Sequence, residues 1–186
     1  MSPPLPSIVI IGRVNVGKST LFNRLTGRRV AIEDPTPGVT RDRVTSICEF
    51  SGRFVELVDT GGEPAETDLY AADVRRQIAE AVSQASLVLM VVDSLDGATA
   101  LDGQIAKALF EGGRPVLLVA NKVDSDAQAP RAAEFSRLGI PEILCVSSKT
   151  GRGLAELVAR LGRHAASVPA GARPVPADVP ATRPRR

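Results

Sequence analysis

Aromatic residues are scarce in this 186-residue chain, with five Phe, one Tyr (Tyr70) and no Trp. A surface that binds single-stranded nucleic acid by stacking bases on aromatic rings is therefore not expected. Cysteine is as sparse. Cys48 and Cys145 are too few for a disulfide framework or a zinc site, and both read as small buried hydrophobes of a reducing compartment. The apolar runs, such as Leu87 to Val92, are far shorter than a bilayer requires, and the start of the chain lacks the charged and apolar regions of a signal peptide. A cytoplasmic protein is expected, with no membrane partner and no direct contact with DNA.

Charge of either sign is also nearly absent in the balance, at +2 overall. Its distribution is more telling. Residues 165–186 carry Arg173, Arg183, Arg185 and Arg186 against Asp178, which leaves 19 basic and 20 acidic side chains in the rest. The body is close to neutral, which argues against a pure RNA-binding domain. The Pro- and Ala-rich tail has too little apolar surface to offset its ordering entropy and reads as a flexible linker.

What the sequence does have is apolar residues, 44% of the total, arranged in short β-branched runs. These are Ile8–Ile11, Phe54–Asp59, Leu87–Asp93, Pro115–Asn121 and Glu142–Ser148, each too apolar for a sheet with one wet face. Helical spacing falls between them, at 18–25, 71–84, 101–111, 132–138 and 153–164. Val44–Phe50 is the exception, because only Ser51-Gly52 separates it from the next strand, and that permits only an antiparallel hairpin. No internal repeat is visible. The expected fold is α/β: a three-layer α/β/α architecture with a six-stranded, mostly parallel sheet and one antiparallel strand. It divides into a short extension (1–6), a domain (7–164) and the tail (165–186).

The first strand runs into Gly12-Arg13-Val14-Asn15-Val16-Gly17-Lys18-Ser19, the spacing GxxxxGK[ST] in its strand–loop–helix context. Backbone N–H groups of Gly12, Val14, Asn15, Val16, Gly17, Lys18, Ser19 and Thr20 would surround phosphate oxygens. Lys18 would reach the β- and γ-phosphates, and the Ser19 hydroxyl would ligate Mg²⁺. At the end of the third run stands Asp59-Thr60-Gly61-Gly62. Asp59 would hold Mg²⁺ through water, and the Gly62 N–H can approach the γ-phosphate because no Cβ obstructs it. In Pro35-Thr36-Pro37-Gly38-Val39-Thr40, the Thr40 hydroxyl is a further Mg²⁺ ligand, with Thr36 as its rival.

The base is chosen by Asn121-Lys122-Val123-Asp124, at the end of the fourth apolar run. A carboxylate at Asp124 accepts from both N1–H and N2–H₂ of guanine, a donor pair that adenine lacks. Asn121 would brace the loop and the Lys122 stem would lie over the base. Ser147-Ser148-Lys149, after the last run, would offer a backbone N–H to guanine O6. The expected ligands are GTP and GDP. Asp93 is expected to cap the turn after its strand, Met90 to be core, and His164 to be a solvated cation beside a helix C-terminus.

Taken in order, GRVNVGKS, PGVTRD, DTGG, NKVD and SSK resemble the TrmE-Era-EngA group of P-loop GTPases, and DTGG with PGVTRDR resembles the first G domain of the EngA (Der) family. The resemblance covers about residues 7–164. It implies GTP hydrolysis, with Lys18, Thr40, Gly62 and Asn15 in the catalytic set, and a role in assembly of the large ribosomal subunit. Proteins of that family continue into a second G domain and a KH-like RNA-binding domain. The chain is thus expected to be a fragment ending in the interdomain linker, the other reading being a stand-alone relative.

Glu63 departs from the pattern, since Ras-like GTPases carry a water-orienting Gln there and EngA relatives an apolar residue. It adds negative charge near an anionic phosphoryl group, so slow turnover is expected. The resemblance implies that Asn15 helps to bind K⁺ beside the β- and γ-phosphates. The residue's own chemistry equally explains it as tolerant of a turn. The leading reading is a slowly hydrolysing switch; the other is a nucleotide-gated binding module with negligible turnover.

Overall fold

The computed structural model describes residues 5–27, 44–60 and 71–169. Ten elements and one run of 3₁₀ turns follow one another in these residues. They are β1 (Ser7–Ile11), α1 (Lys18–Thr26), β2 (Val44–Phe50), β3 (Arg53–Asp59), α2 (Ala71–Val82), β4 (Ala85–Asp93), α3 (Ala100–Glu111), β5 (Val116–Asn121), the 3₁₀ run (Asp126–Leu138), β6 (Ile143–Cys145) and α4 (Leu154–Ser167). The strands form one six-stranded sheet in the order β2-β3-β1-β4-β5-β6. Only the β2–β3 pair is antiparallel; every other pair is parallel. The expected α/β fold with one antiparallel strand is the observed one.

Side chains alternate across a strand, so a strand buried on both faces feeds two cores. Ile8 and Ile10 of β1, Leu89 and Val91 of β4, and Val119 of β5 lie in one cluster with Leu21 and Phe22 of α1 and Leu157 and Leu161 of α4. Their neighbours Val9, Ile11, Met90, Val92 and Leu118 lie in the other, with Ile78 of α2, Ile105 and Leu109 of α3, and Phe135 of the 3₁₀ run. Met90 is fully buried, as expected of a core residue. The β2–β3 hairpin closes through Ser51 and Gly52 at φ 52° and 78°, the pair of positive values that matches a two-residue turn to strand twist.

Four details differ from the sequence expectations. The segment expected as a helix over 132–138 is a longer run of 3₁₀ turns from Asp126 that contains Pro130; its buried residues Ala132, Phe135 and Leu138 recur every three positions, which sets them on one face of a helix with three residues per turn. The last strand is only Ile143–Cys145, and Ser147 and Ser148 lie in the loop beyond it. α4 continues to Ser167, with Ala165 in the core, so the first residues of the expected tail are helical. Cys145 is half-exposed rather than buried, whereas Cys48 is buried and its thiol is pushed up to about 11 by desolvation.

His164 also differs. It is half-buried, and burial lowers its pKa against the opposing effect of a hydrogen bond to the Ser86 backbone; its Nε2 has no partner among the described residues. Burial thus favours the neutral form over the expected solvated cation. Because the folded form holds the proton less tightly than the unfolded form, protonation favours unfolding. As pH falls below the ordinary imidazole value of 6.5, the wild-type chain should lose more stability than His164→Gln. Urea unfolding at pH 7.5 and pH 5.5 measures this, and equal losses in the two proteins would show that His164 is not the titrating group.

Candidate functional site

β1, β3, β4 and β5 all release their chains at one edge of the sheet, where register sets Ile10 beside Asp59 and Asp93 beside Asn121. The crevice at the carboxyl ends of parallel strands is where open α/β sheets take ligands. The phosphate loop leaves β1 at Gly12, whose φ is +156°. A Cβ there would stand 2.3 Å from the Val91 carbonyl oxygen, so the loop crosses β4 at a distance that only glycine permits. Gly17 is the left-handed N-cap of α1 at φ 96°, and no side chain caps it. The first N–H groups of α1 are thereby left to an anion.

Lys18 is buried and folds back over its own loop. Its Nζ donates to the carbonyl oxygens of Gly12 at 2.6 Å and Arg13 at 2.9 Å. Ser19 and Thr20 are exposed in the first turn of α1, and Asn15 is exposed in the left-handed region at φ 65°. Asp59 is 2% exposed, and its Oδ1 has no hydrogen-bond partner among the described residues. The orphaned Asp59 carboxylate oxygen and the exposed Ser19 hydroxyl are hard oxygen donors of the kind Mg²⁺ takes. Among the described residues there is no group of three or more His, Cys, Asp or Glu that could hold a metal.

The base loop is joined to the phosphate loop by one side chain. Asn121, 1% exposed, donates from Nδ2 to the Val16 carbonyl at 2.8 Å. Its Oδ1 accepts from the Ser148 N–H and hydroxyl, both at 2.9 Å. Asp124 Oδ1 accepts from the Ser147 hydroxyl at 2.5 Å, and the Asp124 N–H donates to Gln128 Oε1 at 2.7 Å. The structure therefore brings together the phosphate loop, Asp59, Asn121, Asp124, Ser147 and Ser148. Thr40 and Gly62, with Thr36 and Glu63, lie outside the described residues. The N–H groups of Ser147 and Ser148 donate to the Arg152 carbonyl and to Asn121 Oδ1, and Lys149 lies in the turn that the Gly151 N–H closes onto the Ser147 carbonyl.

Several supporting residues escaped the sequence reading. Arg13, a variable position of the phosphate-loop motif, is buried and donates to Asp96 at 2.9 Å, with its Nε 3.5 Å from buried Asp102. Burial opposes its charge, but the hydrogen bond to Asp96 and the fields of Asp102, Asp96 and Asp93 outweigh that and raise its pKa. Asp102 also completes a capping box with Thr99 at the start of α3, and the Thr-x-x-Asp spacing was the available signal. Arg24 of α1 donates to the carbonyls of Ser148 and Lys149, tying the last loop to the helix that follows the phosphate loop. Asp93 caps the next turn through Leu95, as expected, and also pairs with Lys122 at 2.5 Å.

A family model described as "50S ribosome-binding GTPase" matches residues 7–122. The chain belongs to that family. Curated relatives named GTPase Der bear out the resemblance to EngA: that of Moorella thermoacetica is 46% identical over 169 residues, covering 90% of this chain and 39% of its own. The one from Leifsonia xyli is 45% identical over 159 residues, 86% of this chain and 33% of its own. The chain thus spans little more than a third of the length of these relatives. A solved structure of Era in complex with MgGDPNP and nucleotides 1506–1542 of 16S ribosomal RNA superposes with a TM-score of 0.70 at 27% identity, covering 94% of this chain and 60% of that one. Aquifex aeolicus Era bound to GDP and AlF₄⁻ gives 0.69 at 27% identity, with 96% and 61% covered. The described residues form a G domain of the P-loop GTPase fold. Among them, no helix is long and apolar enough to cross a membrane.

Asn121→Asp should destabilise this G domain even without nucleotide. The substitution removes the donor to the Val16 carbonyl and turns a carboxylate oxygen toward it in a buried position, at a cost of about 3 kcal/mol. Chemical denaturation of the apoprotein measures the change, and an unaltered midpoint would show that Asn121 does not hold the two loops together.

Proposed function

We propose that this G domain binds GTP and GDP with Mg²⁺ and hydrolyses GTP slowly, as a cytoplasmic molecular switch in assembly of the large ribosomal subunit. The observation that carries the reading is the Asn121 bridge, because it holds a phosphate loop and a guanine-type carboxylate, Asp124, on one rigid edge. The Lys18 ammonium and the N–H groups at the start of α1 take up phosphate charge. Ser19, Asp59 and Thr40 would hold Mg²⁺, which when bound neutralises charge between the β- and γ-phosphates. Thr40 and Gly62 would sense the γ-phosphate, and hydrolysis would release them.

Asp124 accepts from the two guanine donors while the Ser147 hydroxyl orients its carboxylate, and the turn at 147–149 offers a main-chain N–H to O6. The resemblance to EngA proteins implies a second G domain and a KH-like domain as neighbours of this one. A ribosomal particle is the proposed partner, in keeping with the family's description and with the ribosomal RNA bound by Era. Glu63 supports a second reading, a nucleotide-gated binding module that holds GTP with negligible turnover.

Two measurements test these assignments. Asp124→Asn should lower preference for GDP over xanthosine diphosphate by roughly 100-fold or more, because an amide cannot accept both guanine donors but can donate to the xanthine 2-oxo group. Retained guanine preference would remove Asp124 from base recognition. Single-turnover hydrolysis should run about 10-fold or more faster in KCl than in matched NaCl if a cation held by Asn15 cancels phosphoryl charge. Equal rates would take Asn15 out of the mechanism, and GTP left intact for hours in both salts would favour the binding module.

A further inference from the structure

Asp93, the last residue of β4, commits its two carboxylate oxygens in different directions. Oδ1 accepts the Leu95 N–H at 2.8 Å and turns the chain away from the sheet. Oδ2 lies 2.5 Å from Lys122 Nζ. The carboxylate is 2% exposed, and β4–β5 register sets Asp93 directly beside Asn121, with the Ser94 N–H donating to the Asn121 carbonyl at 3.0 Å. A buried anion at the edge of β4 is therefore aimed across one strand at the lysine of the base loop.

Lys122 is a residue that needs holding. Its backbone sits at φ 66°, a region that a residue with a Cβ seldom occupies. Its side chain has four rotatable bonds and a strongly hydrated head, so in water it samples many rotamers. The charge-assisted bond to Asp93 selects one of them before any ligand arrives, and a group ordered beforehand adds to affinity because its entropy is not lost on binding.

We propose that Asp93 is a positioning residue for nucleotide binding: it fixes the Lys122 ammonium so that the apolar stem stands as a preformed wall for the guanine ring. The proposal rests on the guanine-nucleotide reading given above. It carries a specific consequence. GDP and GTP share one base, so neutralising Asp93 weakens both by the same factor. The Asp124 carboxylate is untouched, so the preference for guanine over xanthine persists. The connection between β4 and α3 sends Asp96, and the first turn of α3 sends Asp102, to Arg13 in the phosphate loop; Asp93 is the grip of the same region on the base loop.

A double-mutant cycle on the 186-residue chain with Mg²⁺ tests this, reading the affinity and dissociation rate of fluorescent GDP and GTP analogues. Asp93→Asn retains an oxygen for Leu95 but loses the charge for Lys122, and is expected to weaken both nucleotides about 10-fold, mainly by faster dissociation. Lys122→Met keeps the stem and removes the ammonium, with a similar loss. In the Lys122→Met background, Asp93→Asn should then change affinity by less than about twofold. A loss that persists there would mean that Asp93 acts only through the Leu95 turn and would overturn the proposal. So would wild-type affinity in Lys122→Met, an outcome readable even if Asp93→Asn fails to fold. If the wild-type chain itself bound no GDP, the nucleotide reading would fail instead, before any variant is compared.

Discussion

One amide side chain makes a single site out of two loops. Asn121 sits at the end of β5, donates to a carbonyl of the phosphate loop, and accepts from both the N–H and the hydroxyl of Ser148. An amide carries its donor and its acceptor on separate atoms, so each can face a different loop, and at 1% exposure none of the three bonds is exchanged for water. The geometry of phosphate recognition is thereby coupled to that of base recognition. The need for glycine at residue 17 follows from the same contact, since a Cβ there would stand 2.3 Å from Asn121 Nδ2.

Around that bridge, the polar groups of the site are held by structure rather than left to solvent. The Lys18 ammonium is folded over two carbonyls of its own loop, Arg13 is braced by Asp96 and Asp102, and Asp124 is oriented by Ser147. Such charged groups are costly to bury without partners and effective once paired. The parallel sheet makes this arrangement possible. Both of its faces are covered by apolar clusters, so the carboxyl ends of β1, β3, β4 and β5 form a stiff rim on which short loops are held in fixed relation.

The two-sided core, the antiparallel hairpin and the main nucleotide motifs were legible before any coordinates, because each depends on local pattern. Apolar runs of strand length between helical segments force helices onto both faces, and Ser51-Gly52 leaves no room for a crossover. What escaped was set by partners distant in sequence. Arg13 is a variable letter of its motif, and its role appears only when the start of α3 is brought beside the phosphate loop. His164 reads as an exposed helix-end cation until Ser86 and the sheet edge close over it. The segment expected as a helix over 132–138 is a run of 3₁₀ turns, because apolar residues three apart, Ala132, Phe135 and Leu138, fit a period of three as well as that of an α-helix.

By itself the sequence determined the order of elements, the family and the identity of the groups proposed to meet phosphate and guanine, since glycine spacing, a lysine after it and a carboxylate after a strand are properties of short segments. Tertiary structure alone decided which of those groups are braced and by what. The pairing of Asp93 with Lys122, of Arg13 with Asp102, and of Arg24 with the last loop requires knowing which strand ends lie side by side. That order, β3-β1-β4-β5-β6 along the rim, arises from packing the whole chain into two layers of core against one sheet, and no single segment encodes it.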